Sequence, residues 1–274
     1  MHTDISELYE FYRTSLGRTA QRMLRRRLRA LWPNVAGMTV VGLGYASPLL
    51  RPFRDEAVRC IAAMPAGQGV MRWPEEEPNA AMLTDETELP FPDLSVDRMI
   101  LVHAVETSEH LRPMMREVWR VLTGSGRVVV VVPNRRGLWA RFDNNPFGSG
   151  RPYSVSQLRR LMRDTLFTPL NATSALYVPP SGRRMLLTGA EAWENVGLRW
   201  FPRFGAVVMV EATKQVYAAP RVSAPRRRAV YAPRPQVALP PAGAASSAPD
   251  GGRGSAVPSP LSCAPKIEPH GDRT

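Results

Sequence analysis

Lysine is almost missing from this 274-residue chain, where only Lys214 and Lys266 occur and arginine supplies nearly all of the +12 net charge. Seven arginines lie between Arg13 and Arg29, and Arg226, Arg227 and Arg228 form a second cluster. Basic clusters attract nucleic acid or anionic membranes. A preference for arginine along the whole chain is a compositional habit, however, so a nucleic-acid partner rests on charge alone. Cysteine is equally scarce. Cys60 and Cys263 are too few and too badly placed for a disulfide framework, which fits a reducing compartment. No run approaches 18 apolar residues, so no transmembrane span is expected. His2, Asp4, Glu7 and Glu10 interrupt the first stretch, so it does not read as a signal peptide. A cytoplasmic protein without a metal site is expected.

Three regions are present. In residues 1–35, Ile5, Leu8, Tyr12, Leu16, Ala20, Met23 or Leu24, Leu28 and Leu31 recur at steps of three and four. This predicts one amphipathic helix over residues 4–31, its apolar stripe packed on the following domain. In residues 36–213 strands and helices alternate. The predicted strands are Met38–Val41, Val58–Ala63, Ala80–Thr84, Arg98–His103 and Arg127–Val132, with Ala172–Val178 and Ala206–Val210 as a final antiparallel pair. Helices are predicted over Pro48–Ala57, Leu111–Leu122, Val155–Arg163 and Glu191–Val196. Five consecutive valines, Val128 to Val132, suit a strand buried on both faces. The alternation implies a mostly parallel α/β sheet wrapped by helices. Residues 214–274 hold eleven prolines and no apolar periodicity, which predicts a disordered tail.

The most informative stretch is Val40-Val41-Gly42-Leu43-Gly44-Tyr45-Ala46. A buried strand feeding a tight glycine turn brings backbone N–H groups close to a nucleotide-type cofactor. Two glycines at such a turn can equally serve packing alone. Further landmarks follow in order. Asp85 opens an acidic segment ending in Leu89-Pro90-Phe91, a strand ends in His103-Ala104-Val105-Glu106, and Arg116-Glu117-Val118-Trp119-Arg120-Val121-Leu122 precedes Gly124-Ser125-Gly126.

This series, over residues 38–135, resembles the class I S-adenosylmethionine-dependent methyltransferases of the small-molecule, methyltransferase-11-like type. The resemblance implies a Rossmann-like, doubly wound, seven-stranded sheet, mostly parallel with an antiparallel last strand. It implies S-adenosylmethionine as cofactor, with Gly42 and Gly44 against its amino-acid part and Asp85 accepting from its adenine amine. His103 would stand beside the methyl-transfer point, as general base or substrate-orienting residue, or as a satisfied structural histidine. Glu106 would suit a helix start without doing chemistry.

The chain also departs from that pattern. Val40 stands where the family has an acid two residues before the first glycine, and Ala46 replaces the third glycine. Ile61-Ala62-Ala63-Met64-Pro65 supplies no acid for the ribose hydroxyls. Losing that bidentate contact costs about 1–3 kcal/mol, or roughly ten- to a hundredfold in affinity. The same gap, with Ser47 in place of a third glycine, argues against a nicotinamide enzyme. In the loop after the fifth strand, Trp139, Phe147 and Tyr153 are candidates to wall a substrate site, with Arg135, Arg136 or Arg151 recognising an anion. The expected function is methyl transfer to a small molecule; the alternative is a catalytically inactive methyltransferase-fold binding or regulatory module. Acceptor and oligomeric state stay open.

Overall fold

The computed structural model describes residues 4–142, 145–180, 189–201 and 204–216. The expected tail lies outside them from residue 217 onward. Two helices come first, α1 (Ile5–Arg13) and α2 (Ser15–Leu31). The single helix expected over residues 4–31 is therefore broken. Thr14 has an extended backbone (ψ 162°) and its hydroxyl caps α2 by accepting from Gly17 N at 2.9 Å.

Seven strands follow: β1 (Thr39–Gly44), β2 (Arg59–Pro65), β3 (Ala81–Thr84), β4 (Val96–Val102), β5 (Leu122–Pro133), β6 (Phe167–Ala175) and β7 (Val207–Lys214). Their order across the sheet is β3-β2-β1-β4-β5-β7-β6. The first five are mutually parallel, and β7 runs antiparallel to both β5 and β6. β1 extends through both glycines, three residues beyond the expected end at Val41. Gly42 and Gly44 thus sit in the strand rather than in a turn after it.

Between the strands lie α3 (Ser47–Leu50), α4 (Leu111–Val121), α5 (Val155–Asp164) and α6 (Ala190–Trp200). The helix expected over Pro48–Ala57 shrinks to the single turn of α3 and a 3-10 turn at Arg51–Phe53. Proline is the cause. Pro52 has no N–H to give the Pro48 carbonyl four residues back. That carbonyl instead accepts from two side chains of α2, Gln21 Nε2 at 3.1 Å and Arg25 Nε at 2.6 Å.

Alternate residues of each strand serve the two faces of the sheet, as a period of two requires. Val129 and Val131 join Val40, Met64, Ile100 and Val102 in one core, while Val128, Val130 and Val132 join Val41, Leu43, Met99 and Leu101 in the other. The second core is closed by α4 and α5 through Met114, Val118, Leu158 and Met162. On the first face α3 is only one turn, and residues 66–80 between β2 and β3 contain no helix. The N-terminal helices cover that face, through Leu8 and Tyr12 of α1 and Met23, Leu24 and Leu28 of α2. Each such side chain contributes about 1.5–3 kcal/mol on burial, so this leading segment is part of the core.

The Leu-Pro-Phe and Arg-Val-Leu landmarks meet in space. Arg120 of α4 donates to the carbonyls of Leu89 (2.8 Å) and Phe91 (3.0 Å) and pairs with Glu117 and Asp93. Glu117 also accepts from Leu89 N at 2.9 Å. The Arg120 bonds hold the Glu117 carboxyl below its ordinary range. These residues clamp the β3–β4 connection to α4, a structural task.

Candidate functional site

β4 delivers His103 to the carboxyl end of the sheet, with an unusual backbone. Its φ of +53° lies in the left-handed region, which a side chain with a Cβ enters at a cost of about 1–2 kcal/mol. The neighbourhood over-determines that conformation. The Gln68 amide, itself buried, donates to the His103 carbonyl, and Thr107 Oγ1 donates to the same oxygen at 3.0 Å. The imidazole is 1% exposed and lies against Phe147, with ring centroids 4.9 Å apart.

Both ring nitrogens are engaged. Nδ1 lies 3.1 Å from Glu106 Oε1 and Nε2 lies 3.0 Å from the Tyr12 hydroxyl. With Glu106 as a carboxylate, which only accepts, Nδ1 donates to it and Nε2 accepts from Tyr12. The result is a buried chain from Glu106 through His103 to Tyr12 of α1. Glu106 Oε2 is buried with no hydrogen-bond partner among the described residues. Burial, followed by the nearby Tyr45 and Glu106, pushes the Tyr12 phenol well above its ordinary pKa, so it stands as a neutral donor.

Tyr12 also lines a cavity of about 530 Å³ at the carboxyl ends of β1 and β2. Tyr45 and Ser47, just after β1, form one wall, and Met64 of β2 with Met71 and Trp73 forms another. The volume suits a small-molecule ligand. The Ser47 hydroxyl in this wall is buried and has no hydrogen-bond partner among the described residues. A buried hydroxyl without a partner is uncommon and marks a place where a ligand or water completes the bonding.

The glycines preceding this wall are explained by packing. A Cβ on Gly42 would lie 2.5 Å from the Ala46 Cβ and 2.9 Å from Leu50. A Cβ on Gly44, whose φ is +84°, would overlap the Val102 carbonyl oxygen and crowd Ala104. Both let the β1–α3 connection close against its own fold.

Residues 40–130 match the profile of a methyltransferase domain family. That match covers a third of the chain, and the sheet has the seven-stranded order of a Rossmann-like methyltransferase fold. Solved structures with the same architecture include a methyltransferase of Thermotoga maritima described as a possible histamine N-methyltransferase. It is 17% identical with a TM-score of 0.54, over 77% of this chain and 95% of that one. A putative methyltransferase of Haloferax volcanii, solved with its Trm112 activator, is 19% identical with a TM-score of 0.52, covering 72% and 94%. An Archaeoglobus fulgidus methyltransferase is 17% identical with a TM-score of 0.51, covering 71% and 94%. At these identities the likeness is one of fold. No curated protein matches the sequence.

Within this fold the expected site residues divide. His103 and Glu106 come together, and Gly44 packs beside the end of β4 at Val102 and Ala104. Asp85 lies apart, exposed, its Oδ1 accepting from Thr87 N and Thr87 Oγ1 at 2.7 Å each. Those bonds hold its carboxyl below the ordinary value. Trp139 and Phe147 are buried in the first core, and neither they nor Tyr153, Arg135, Arg136 and Arg151 line the cavity. Trp139 spends its Nε1–H on the Val178 carbonyl at 2.7 Å. Sequence reasoning missed Tyr12, Ser47 and Gln68. Tyr12 falls on an apolar stripe and reads as core, and nothing local marks Gln68. Ser47 directly follows the glycine segment, the one signal available for it. Among the described residues no cluster of His, Cys, Asp and Glu is arranged to hold a metal ion, and no helix is long and apolar enough to cross a membrane.

Proposed function

We propose that this chain is an S-adenosylmethionine-dependent methyltransferase acting on a small molecule, with cofactor and acceptor sharing the cavity beside Tyr12. The observation that carries this reading is the coincidence of three features at one place. The cavity opens at the ends of β1 and β2, the orphaned Ser47 hydroxyl lies in its wall, and the chain Glu106–His103–Tyr12 ends on it. Open α/β sheets bind ligands at the carboxyl ends of their strands. The description of the Thermotoga relative as a possible histamine N-methyltransferase adds support for a small acceptor.

The residues present fit the cofactor in part. Ser47 Oγ would meet a polar group of its amino-acid portion, and Tyr45 and Met64 would lie against its body. Met64 ends in a thioether where the family carries a carboxylate, so it would hold the ribose by contact rather than by paired hydrogen bonds. When bound, the cofactor supplies an already activated methyl group on a sulfonium, so orientation provides most of the acceleration.

The protein's own part is to place the acceptor and receive its proton. An acceptor O–H or N–H hydrogen-bonded to Tyr12 Oη passes its proton to that oxygen as the methyl bond forms. Tyr12 passes its own proton to His103 Nε2, and the imidazolium formed is paired with the Glu106 carboxylate. Tyr12 is unsuited to act as a free phenolate, since its pKa is raised, and the relay through His103 removes that requirement.

Calorimetric titration with S-adenosylhomocysteine tests the reading. Binding in the tens to hundreds of micromolar is expected, and Ser47→Ala should weaken it about three- to tenfold, the worth of one hydrogen bond. Folded protein that gives no heat at millimolar ligand would instead establish the catalytically inactive binding module.

A further inference from the structure

The cavity wall carries more positive than negative charge. Six arginines line it against four carboxylates, Asp55, Glu75, Glu76 and Glu77. Part of this set is internally matched. Arg54 pairs with Glu77, Arg72 donates to the Glu77 carbonyl at 3.0 Å, and Arg13 donates to the Tyr9 hydroxyl, which in turn donates to Glu75.

Arg18, Arg25 and Arg51 are not matched. Arg25 spends Nε on the Pro48 carbonyl, and none of the three forms an ion pair with a described residue. Arg18 and Arg25 lie two turns apart on one face of α2, and Arg51, directly after α3, lines the same cavity. Burial and then the like charge of Arg51 push the Arg25 guanidinium down to about 10. Three guanidiniums on one cavity, with Arg25 half-buried and near enough to Arg51 to feel its charge, raise the energy of the empty fold. They lower it again when an anion supplies paired, charge-assisted hydrogen bonds. Next to them the rings of Tyr12 and Tyr45 stand 5.6 Å apart at the cavity wall.

We propose that the cavity binds an anionic aromatic molecule, its ring against Tyr12 and Tyr45 and its carboxylate or phosphate on Arg18, Arg25 and Arg51. Under the function proposed above, on which this step rests, that molecule is the methyl acceptor. An acceptor hydroxyl or amine on the ring then lies beside Tyr12 Oη, while the anion fixes its orientation from the other side.

Calorimetry with phenyl phosphate, benzoate and phenol, each with and without saturating S-adenosylhomocysteine, tests this. Phenyl phosphate or benzoate should bind at least tenfold more tightly than phenol, and the tighter of the two identifies the anion. Arg18→Ala and Arg51→Ala should each weaken that binding about fivefold or more. Both side chains are exposed and form no ion pair with a described residue, so these variants should keep the wild-type circular dichroism and melting temperature. Equal binding of phenol and the anions, or anion affinity unchanged in both variants, would overturn the proposal. Displacement of phenyl phosphate by S-adenosylhomocysteine would also overturn it, because the arginines would then serve the cofactor's own carboxylate. If S-adenosylhomocysteine gives no heat while phenyl phosphate binds, the anion site stands and the methyltransferase reading alone falls.

Discussion

Tyr12→Phe is expected to slow methyl transfer by about a hundredfold or more, while leaving S-adenosylhomocysteine affinity within about twofold of wild type. The substitution keeps the ring that packs against Tyr45 and His103 and removes only the hydroxyl. What is lost is the first stop for the acceptor's proton, together with the partner of His103 Nε2. Leaving that buried nitrogen unpaired costs about 1–3 kcal/mol of stability, small enough for the variant to fold. Release of S-adenosylhomocysteine over a panel of ring-bearing acceptors gives the rate, and calorimetry gives the affinity. A rate within threefold of wild type would remove Tyr12 from the chemistry. Equal loss of rate and of cofactor affinity would reduce it to a structural residue of α1.

Gly44→Ala should destabilise the fold by about 3 kcal/mol or more, and Gly37→Ala by only about 1 kcal/mol. The pair separates two causes. Both glycines have positive φ, +76° at Gly37 and +84° at Gly44, so both substitutions incur the left-handed penalty. Around Gly37 a Cβ would meet nothing within 4 Å. At Gly44 it would overlap the Val102 carbonyl oxygen and come within 3.2 Å of the Ala104 backbone nitrogen. The excess cost at Gly44 therefore measures how tightly β1 closes on the end of β4. Urea denaturation of the two variants gives the difference directly. Equal losses would mean that Gly44 lies in open space, with room for a ligand rather than for its own fold.

The sheet was legible because its evidence is redundant. Five valines in a row, alternating elements and motifs in a fixed order all point to one topology, and no single residue decides it. The local breaks were less legible. Thr14 splits the leading helix through its capping hydroxyl, although the apolar spacing continues unbroken past it. The short α3 follows from Pro52 acting on a carbonyl four residues away, a three-dimensional consequence of a missing N–H.

The candidate site was readable only where it coincides with a strand end. His103 stands at the end of β4, and Glu106 three residues on is near enough to be noticed. Tyr12 is 91 residues away from His103 in the chain, and only the docking of α1 brings the two together. Gln68 reaches His103 across β1 from a segment without regular structure. The glycines read as a cofactor turn, yet their geometry is explained by Leu50, Ala46 and the end of β4.

The cavity walled by Tyr45, Ser47, Met64 and Trp73 is the proposed cofactor site. Ultraviolet cross-linking of methyl-labelled S-adenosylmethionine to the intact chain, followed by peptide mapping, tests it most directly. The label should fall within residues 45–73 and be suppressed by excess S-adenosylhomocysteine. Label concentrated at residues 85–91, or none above a denatured control, would contradict the assignment.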